Sequence, residues 1–396
     1  MIKILLIIPI KLFFLLPIIL FLLIIRIFID FRINQVISKK IGHMATQMEI
    51  YICEKKEYPK STHVIWFFEQ RIANQFLKKQ WSKKLIILPR FILEPIYILF
   101  NRYKFFNFFL IDLNKYPEEV KKTIKGRLKQ IDDKNVLLRQ KPSIEFNNKE
   151  KIEGENYLKK TGLKDKKFFA FASRSSQFHN EKDQSTRNSN IDDKILAVKF
   201  LVSKGYKGIR MGKNESKLKF SDSNIIDYSN SEDRSDFLDI YIASKCEFMI
   251  TASSGVAELG TLFRAPKLIV NEHGVQHMAV NQLRWMMLLK KIKNLNSGKL
   301  ITFEEAYKKK LNYIENVSEL NERGYDIIDN SKKEIEKASE NFLDLINNQF
   351  NLNEILQKQK KYWLNIEKFF GYKNKNKTII CPDFYSNNID LFNKSD

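Results

Sequence analysis

The sequence has few of the residues that build disulfide frameworks, metal centres or repetitive folds. Its 396 residues include three cysteines, Cys53, Cys246 and Cys381, and five histidines. Their spacing shows neither paired cysteines nor an H-E-x-x-H pattern, which excludes a disulfide scaffold and the common zinc motifs. Glycine is scarce too, at 13 residues against 31 phenylalanines, which excludes collagen-like and low-complexity chains. We therefore expect a globular protein of a reducing compartment, with room for two domains.

Acidic residues are also in short supply, at 46 against 68 basic residues, which gives a formal net charge of +22. Such a surface attracts phosphates on nucleic acid, on anionic lipid or on a sugar nucleotide. The lysines are spread along the whole chain, and no nucleic-acid-binding motif accompanies them. We therefore expect no nucleic-acid partner. Part of the excess equally fits a general bias of the composition towards lysine, isoleucine and asparagine.

The amino terminus carries one long apolar run. Between Ile4 and Ile29 only Lys11 and Arg26 are charged, and about 20 apolar residues suffice to span a bilayer. We interpret residues 1–33 as a retained membrane anchor, because no small-residue cleavage site follows; a cleaved signal peptide is the alternative. Basic residues after the run favour a cytoplasmic body at the inner membrane. Pro17 also permits a kinked helix that enters only one leaflet.

The rest of the chain alternates between short apolar runs and helical patterns. Residues 34–155 predict an acceptor-side Rossmann-like domain, and residues 346–396 predict a helical extension with a loose tail. Residues 156–345 show a sharper pattern and predict a second Rossmann-like domain that binds a nucleotide-sugar. Its predicted strands are Phe168–Ala172, Gly208–Met211, Asn224–Asp227, Phe248–Thr251 and Lys267–Val270, with helices between them. Strands alternating with helices at this spacing indicate an α/β fold with doubly wound parallel sheets.

A turn of small residues follows the strand Phe248–Thr251. Ser253, Ser254 and Gly255 stand where a helix is predicted to begin, and Glu258 lies in its first turn. Such a turn directs backbone N–H groups and the positive end of the helix towards an anion. Either serine can cap the helix or donate to a phosphate, and the glycine lets a ligand approach the backbone. A plain capped helix is the alternative.

Two neighbouring loops carry further candidates for donor binding. Arg174 and His179 follow the strand Phe168–Ala172, and Arg210 and Gly212 stand at the end of the next strand. An arginine fork can hold a diphosphate through two parallel hydrogen bonds. Because ligands of open α/β sheets bind beyond the carboxyl ends of the strands, we expect the loops after residues 172, 211 and 252 to converge.

The amino-terminal domain offers a candidate base. His43 follows Gly42 at a predicted strand-to-helix turn, and Glu49 lies farther along the same helix. A histidine there could accept a proton from an acceptor hydroxyl, since its ordinary pKa lies near neutral pH. A lone histidine is more often structural, so this assignment is the weaker half of the hypothesis.

Taken together, these motifs resemble a family of bacterial glycosyltransferases found among surface-polysaccharide genes. The resemblance covers about residues 36–345 and is most specific between Arg210 and Asn271. The elements that carry it are Ile41-Gly42-His43 with Glu49, Arg174 with His179, the runs 205–212, 226–228 and 234–241, and Thr251-Ala252-Ser253-Ser254-Gly255. It implies the two-domain GT-B fold, with the acceptor domain first and the nucleotide-sugar domain second.

The predicted function is transfer of a sugar from a nucleotide-sugar donor to a lipid-linked or polysaccharide acceptor at the membrane. No Asp-x-Asp follows an apolar strand, so we expect a metal-independent reaction and no cofactor beyond the nucleotide-sugar substrate. Arg174 and the helix amino termini would then offset the charge of the leaving group. The Ser-Ser-Gly turn is also similar to that of nucleotide-sugar 2-epimerases, so an epimerase of the same fold is one alternative. A non-catalytic, membrane-bound assembly protein is another.

Overall fold

The computed structural model describes residues 16–59, 63–110, 132, 134–175, 185–213, 216–275, 284–369 and 378–393. The chain divides into two compact units, Met1–Leu128 and Lys129–Asp396. The division lies earlier than the boundary expected at 155/156, which falls inside the helix Asn148–Lys160. A capping box between Asn147 and Glu150 starts this helix, and its Gly154 leaves no room for a side chain beside the Tyr241 ring. This packing ties the helix to the second unit.

The first unit contains a three-stranded parallel sheet. Its strands are β1 (Phe31–Val36), β2 (His63–Phe68) and β3 (Ile86–Ile87), in the order β1-β2-β3. Its helices cover residues 16–28, Ile41–Glu57, Gln75–Lys84 and Arg90–Arg102, followed by a 3₁₀ turn at Lys104–Phe109. A helix follows each strand, as parallel pairing requires a long crossover between neighbours.

The predicted anchor divides into three parts. Residues 1–15 lie outside the described residues, residues 16–28 form a helix, and Phe31 and Ile33 belong to β1. Assigning residues 31–33 to the anchor is therefore wrong: Phe31 and Ile33 are buried in the sheet, in one core with Ile19 and Leu22 of the helix. Within the described residues, no helix combines the length and the hydropathy that crossing a bilayer requires.

The second unit is built on a seven-stranded sheet in the order β12-β9-β8-β7-β4-β5-β6. Every neighbouring pair in it is parallel. The strands are β4 (Phe168–Ala172), β5 (Lys207–Arg210), β6 (Ile225–Asp227), β7 (Phe248–Thr251), β8 (Lys267–Glu272), β9 (Trp285–Leu289) and β12 (Ile379–Ile380). The antiparallel strands β10 (Lys291–Asn294) and β11 (Tyr325–Ile328) form a separate ribbon with a small core of its own.

Helices cover both faces of this sheet, as full burial of its central strands β4, β7, β8 and β9 requires. They are Val136–Arg139, Asn148–Lys160, Ile195–Ser203, Asp236–Lys245, Ala257–Phe263, Phe303–Lys308, Val317–Glu322, Lys332–Ile346, Leu352–Glu367, Pro382–Asn387 and Ile389–Phe392. The α/β prediction and its parallel sheet are confirmed, and all five predicted strands of this unit exist. The sequence pattern does not predict strands β9 to β12.

Candidate functional site

The strand order of the second unit places a switch point between β4 and β7. From β4 the chain proceeds to β5 and β6 on one side, then crosses to β7 on the other side and continues to β8 and β9. Ala172 at the end of β4 is the register partner of Thr251 at the end of β7. In open α/β sheets, ligands bind beyond the carboxyl ends of the strands at such a point. The predicted neighbourhood of the loops after residues 172 and 252 is confirmed.

The Ser-Ser-Gly turn lies on the β7 side of this switch point. Ser254 is buried, and its Oγ accepts a hydrogen bond at 3.3 Å from the backbone N–H of Ala257, the first residue of the helix Ala257–Phe263. Ser253 and Gly255 are half-buried and remain accessible. Glu258, also half-buried, stands in the first helical turn, where its charge suits the positive end of the helix. The buried hydroxyl of Ser254 is thus used within the protein, whereas the predicted ligand-binding role of Ser253 and Gly255 stays a prediction.

The β4 side of the switch point is held by the segment 187–189. Arg174 donates from Nη1 to Oδ1 of Asn188 at 2.7 Å, and its carbonyl accepts from the backbone N–H of Ser189 at 3.0 Å. These contacts fix the half-buried Arg174 guanidinium at the end of β4. His179, the other candidate in this loop, lies outside the described residues.

Three further cations, which no sequence motif indicates, contact the same loops. Arg187 donates from Nη2 to the Ser253 carbonyl at 3.0 Å, which joins the segment 187–189 to the β7 turn. Lys194 donates from Nζ to Oγ of Ser173 at 2.6 Å. Lys290 donates to the Asn188 carbonyl at 2.7 Å and pairs with Asp329 at 2.7 Å. With Arg174, four basic side chains therefore meet at the carboxyl ends of β4, β7 and β9.

A buried carboxylate, Glu272, accompanies these cations at the end of β8. Burial raises its pKa to about 7, opposed by the nearby Arg187 charge and by hydrogen bonds from the Gly274 N–H and the Ser253 hydroxyl. Burial lowers the pKa of Lys194 to about 8 and lowers that of Lys290 as well. The site therefore contains an acid and an amine that both titrate close to neutral pH. Such shifts are common at functional sites.

The next residue, His273, is structural rather than titrating. Burial lowers its pKa to about 4, so the imidazole is neutral near neutral pH. Its Nε2 lies 3.2 Å from the Leu311 carbonyl, and the Asn312 amide donates to the His273 carbonyl at 2.7 Å. These contacts attach the end of β8 to the segment around residue 311.

Arg210 and Gly212, the predicted donor-binding residues at the end of β5, make contacts within the protein. Arg210 is 2% exposed, and its Nη1 donates to the Ser216 carbonyl at 2.6 Å and to Asp227 at 3.1 Å. These protein partners account for Arg210 without a ligand. Gly212 has a φ of +146° that favours glycine, and its carbonyl accepts from Nε of Arg234 at 2.9 Å. Both residues thus shape the β5 edge, and their donor-binding role stays a prediction.

The candidate bases lie in the first unit, on the helix Ile41–Glu57 that follows β1. His43 is half-buried in its first turn, and Glu49 is fully buried and accepts from the Cys53 thiol at 3.5 Å. Six residues along a helix correspond to about 9 Å and a rotation of about 120°, so the two side chains face different directions. They are therefore alternative candidates for one base and do not form a pair.

A metal centre built from side chains is not seen in the part of the chain that the structure describes. Within those ranges, no group of three or more His, Cys, Asp or Glu side chains could hold an ion together. The expectation of a metal-independent reaction stays a prediction.

The sequence matches no protein-family model and no curated protein. Among solved structures, the chain is similar to a glycosyl transferase family 9 protein from Veillonella parvula DSM 2008, with 12% identity, a TM-score of 0.45, and coverage of 80% of this chain and 97% of that one. It is also similar to the E. coli ADP-heptose lps heptosyltransferase II, with 13% identity, a TM-score of 0.34, and coverage of 60% and 84%.

A third similar structure is the dodecameric iron-containing heptosyltransferase TibC in complex with ADP-D-beta-D-heptose. It shares 8% identity, with a TM-score of 0.34 and coverage of 63% of this chain and 60% of that one. TM-scores below 0.5 describe a loose likeness. The function of this chain must therefore be inferred from its own side chains.

Proposed function

We propose that this chain is a glycosyltransferase whose second unit binds a nucleotide-sugar at the switch point between β4 and β7. The observation that carries the proposal is that Arg174 and Arg187 lie with the accessible Ser253 and Gly255 at the carboxyl edge of the sheet. A neutral ligand would gain little from so many cations, whereas a diphosphate would gain several charge-assisted hydrogen bonds.

The diphosphate would lie over the turn, with the guanidinium groups of Arg174 and Arg187 on its oxygens. The Gly255 backbone is accessible there, so that an oxygen could approach its N–H. Lys194 and Lys290 are buried behind these loops and would add positive charge without touching the ligand. Preorganised donors of this kind stabilise the charge that develops on the leaving nucleotide.

The remaining parts of the proposal concern the acceptor. The first unit would bind a lipid-linked or polysaccharide acceptor, with His43 or Glu49 as the base, in a GT-B arrangement at the cytoplasmic face of the membrane. The reaction would need neither a metal ion nor a cofactor, so transfer should persist in excess chelator. The sequence motifs support these assignments, and the parallel sheets of both units support the two Rossmann-like domains that a GT-B arrangement requires.

The first test is thermal unfolding with a panel of nucleoside diphosphates and their sugars. A ligand that binds only the folded state at 100 times its Kd stabilises that state by about 2.7 kcal/mol. We expect the nucleoside diphosphates of one nucleobase to raise the unfolding midpoint strongly and the corresponding monophosphate to raise it less. If no nucleotide of the panel raises the unfolding midpoint, the donor site is wrong.

The second test separates enzyme classes with the donor that the panel identifies. A transferase requires an acceptor, whereas an epimerase converts the nucleotide-sugar alone. In cells, Arg174→Ala and Gly255→Asp should each abolish glycan assembly while the protein stays on the membrane. Glycan assembly retained by both variants would favour a non-catalytic assembly protein.

A further inference from the structure

The helix at residues 16–28 is apolar on two opposite sides. Its inner side places Ile19 and Leu22 in the core of the first unit. Its outer side exposes six large apolar residues in a helical stripe: Leu16, Leu20, Phe21, Ile24, Ile27 and Phe28. A helix that is hydrophobic all round normally has apolar surroundings on every side. The outer stripe is therefore exposed to solvent although its apolar composition suits contact with another apolar surface.

A second exposed apolar row lies on the helix Arg90–Arg102 and the turn after it. Phe91 and Ile98 are seven residues apart, which places them on one side of that helix, and Phe105 follows in the 3₁₀ turn. Phe91 and Phe105 are 79% and 75% exposed, as strongly as Ile27 and Phe28 at 77% and 80%. Both rows thus consist of large side chains that reach into solvent.

The two rows belong to elements that pack on the same core. Ile19 and Leu22 of the first helix share one cluster with Leu93, Ile96 and Phe100 of the second. The Arg26 guanidinium also lies over the Phe108 and Phe109 rings at 5.1 and 5.4 Å, which joins the first helix to the turn 104–109. The two exposed rows thus belong to elements that share one core, and together they are here named the apolar face: Leu16, Leu20, Phe21, Ile24, Ile27, Phe28, Phe91, Ile98 and Phe105.

Charge and sequence indicate what covers the apolar face. Arg102 and Lys104 are exposed beside Tyr103 and Phe105, an arrangement of basic and aromatic side chains suited to the headgroup level of a bilayer. The helix at residues 16–28 is also preceded in the sequence by the apolar residues 4–10 and 12–15. A protein partner would be expected to meet polar groups at the rim of its contact, whereas the stripe on residues 16–28 carries none.

We propose that the apolar face is a membrane-contacting surface, which places residues 91, 98 and 105 at the level of the lipid headgroups and acyl chains. Arg102 and Lys104 then contact anionic headgroups. The inference deepens the membrane location contained in the proposed function, but it uses no residue of the donor site. The membrane contact therefore extends beyond the amino-terminal run to a helix some 70 residues later in the chain.

Site-specific labelling of the full-length protein tests this surface. All three native cysteines are buried, so an introduced cysteine can be labelled selectively with an environment-sensitive fluorophore. Ile98→Cys tests the apolar face, and Ile152→Cys in the second unit is the matched control, because the two isoleucines are 60% and 62% exposed. Each labelled protein is mixed with vesicles of phosphatidylcholine, with or without phosphatidylglycerol, and quenched with bromine-substituted lipid.

We expect a blue shift and lipid quenching at position 98 and neither at position 152. The double variant Arg102→Gln with Lys104→Gln should lose the preference for phosphatidylglycerol, whereas Lys149→Gln with Lys151→Gln should keep it. Phe91→Ser should weaken vesicle binding by roughly tenfold, the usual effect of removing one large apolar side chain.

Two results would overturn the proposal. If the label at position 98 shows no more blue shift or lipid quenching than the label at position 152, the apolar face does not contact lipid specifically. If the label at position 98 becomes shielded on raising the protein concentration without vesicles, a second copy of the chain covers the face. Lipid quenching at position 98 without sugar transfer would contradict the proposed function alone, and transfer by a membrane-bound protein whose position 98 stays unquenched would contradict this inference alone.

Discussion

The buried amine of Lys194 should make nucleotide binding depend on pH in a defined direction. Its Nζ contacts the Ser173 hydroxyl at the switch point, and burial lowers its pKa to about 8. A diphosphate binds better while the amine is charged, so binding takes up a proton above that pH. The affinity attributable to Lys194 should therefore be constant below pH 7 and fall as the pH rises through 8.

The size of the effect follows from the fraction of charged amine. With a pKa of about 8, Lys194 is about 90% charged at pH 7 and about 10% charged at pH 9. If only the charged form supports binding, Kd rises by about tenfold over this interval through Lys194 alone. Lys194→Met removes this dependence and should bind the nucleotide weakly at both pH 7 and pH 9. The ratio of Kd at pH 9 to Kd at pH 7 should therefore be smaller than in the unchanged protein by up to tenfold.

Isothermal titration calorimetry with the preferred nucleoside diphosphate, at half-unit steps from pH 6 to pH 9.5, measures the profile. Lys267 is the comparison, because it is also buried and its pKa is also lowered to about 8 by burial, yet its Nζ donates to the Ala257 carbonyl and the Thr261 hydroxyl within the helix Ala257–Phe263 rather than to a strand-end loop. Lys267→Met should keep the pH profile even if its overall affinity changes. An unchanged slope in Lys194→Met, or a flat profile in the unchanged protein, would refute the assignment of charge at the switch point.

Four further predictions concern single side chains. Glu272→Gln should bind the nucleotide more tightly at pH 8 than the unchanged protein and equally well at pH 6, because the carboxyl with a pKa of about 7 is ionised only at the higher value; calorimetry at the two pH values checks this. Arg187→Ala should raise Kd by roughly 10- to 100-fold, the loss of one charge-assisted contact, as measured in the same titration. Gly255→Asp should eliminate the nucleotide-dependent rise in melting temperature while the midpoint without nucleotide changes little, since the new carboxylate repels the diphosphate. Arg210→Met should lower the free energy of unfolding by roughly 2 kcal/mol in urea, because Asp227 and the Ser216 carbonyl lose their buried partner, and the same titration tests its predicted donor-binding role, which requires Kd to rise as well.

Local patterns in the sequence determined the strands of the second unit and the turn after β7. Phe248–Thr251 is an apolar run of strand length that ends in Ser, Ser and Gly, and the structure has this strand with the same bounds. The strand Phe168–Ala172 was equally evident, since every residue in it is apolar and buried. Such elements are predictable because hydrophobic burial and turn chemistry act over a few residues.

The composition of the site was decided by tertiary structure. Arg187 and Lys194 have no local pattern that marks them, because only tertiary contacts, to the Ser253 carbonyl and the Ser173 hydroxyl, bring them to the strand ends. Lys290 and Glu272 had a usable signal, since each stands at the end of an apolar run, but the predicted strand stops at residue 270. Arg210 shows the converse: its strand-end position predicted a ligand, and only the fold revealed that Asp227 and the Ser216 carbonyl hold it.

The amino-terminal run shows the same division between sequence and fold. Its hydropathy alone predicted a membrane anchor over residues 1–33 and therefore lipid on every side of the helix. The structure assigns one side of residues 16–28 to the core of the first unit and leaves the other side exposed. A sequence records how apolar a segment is, but the partner on each side of a helix depends on contacts between residues far apart in the chain.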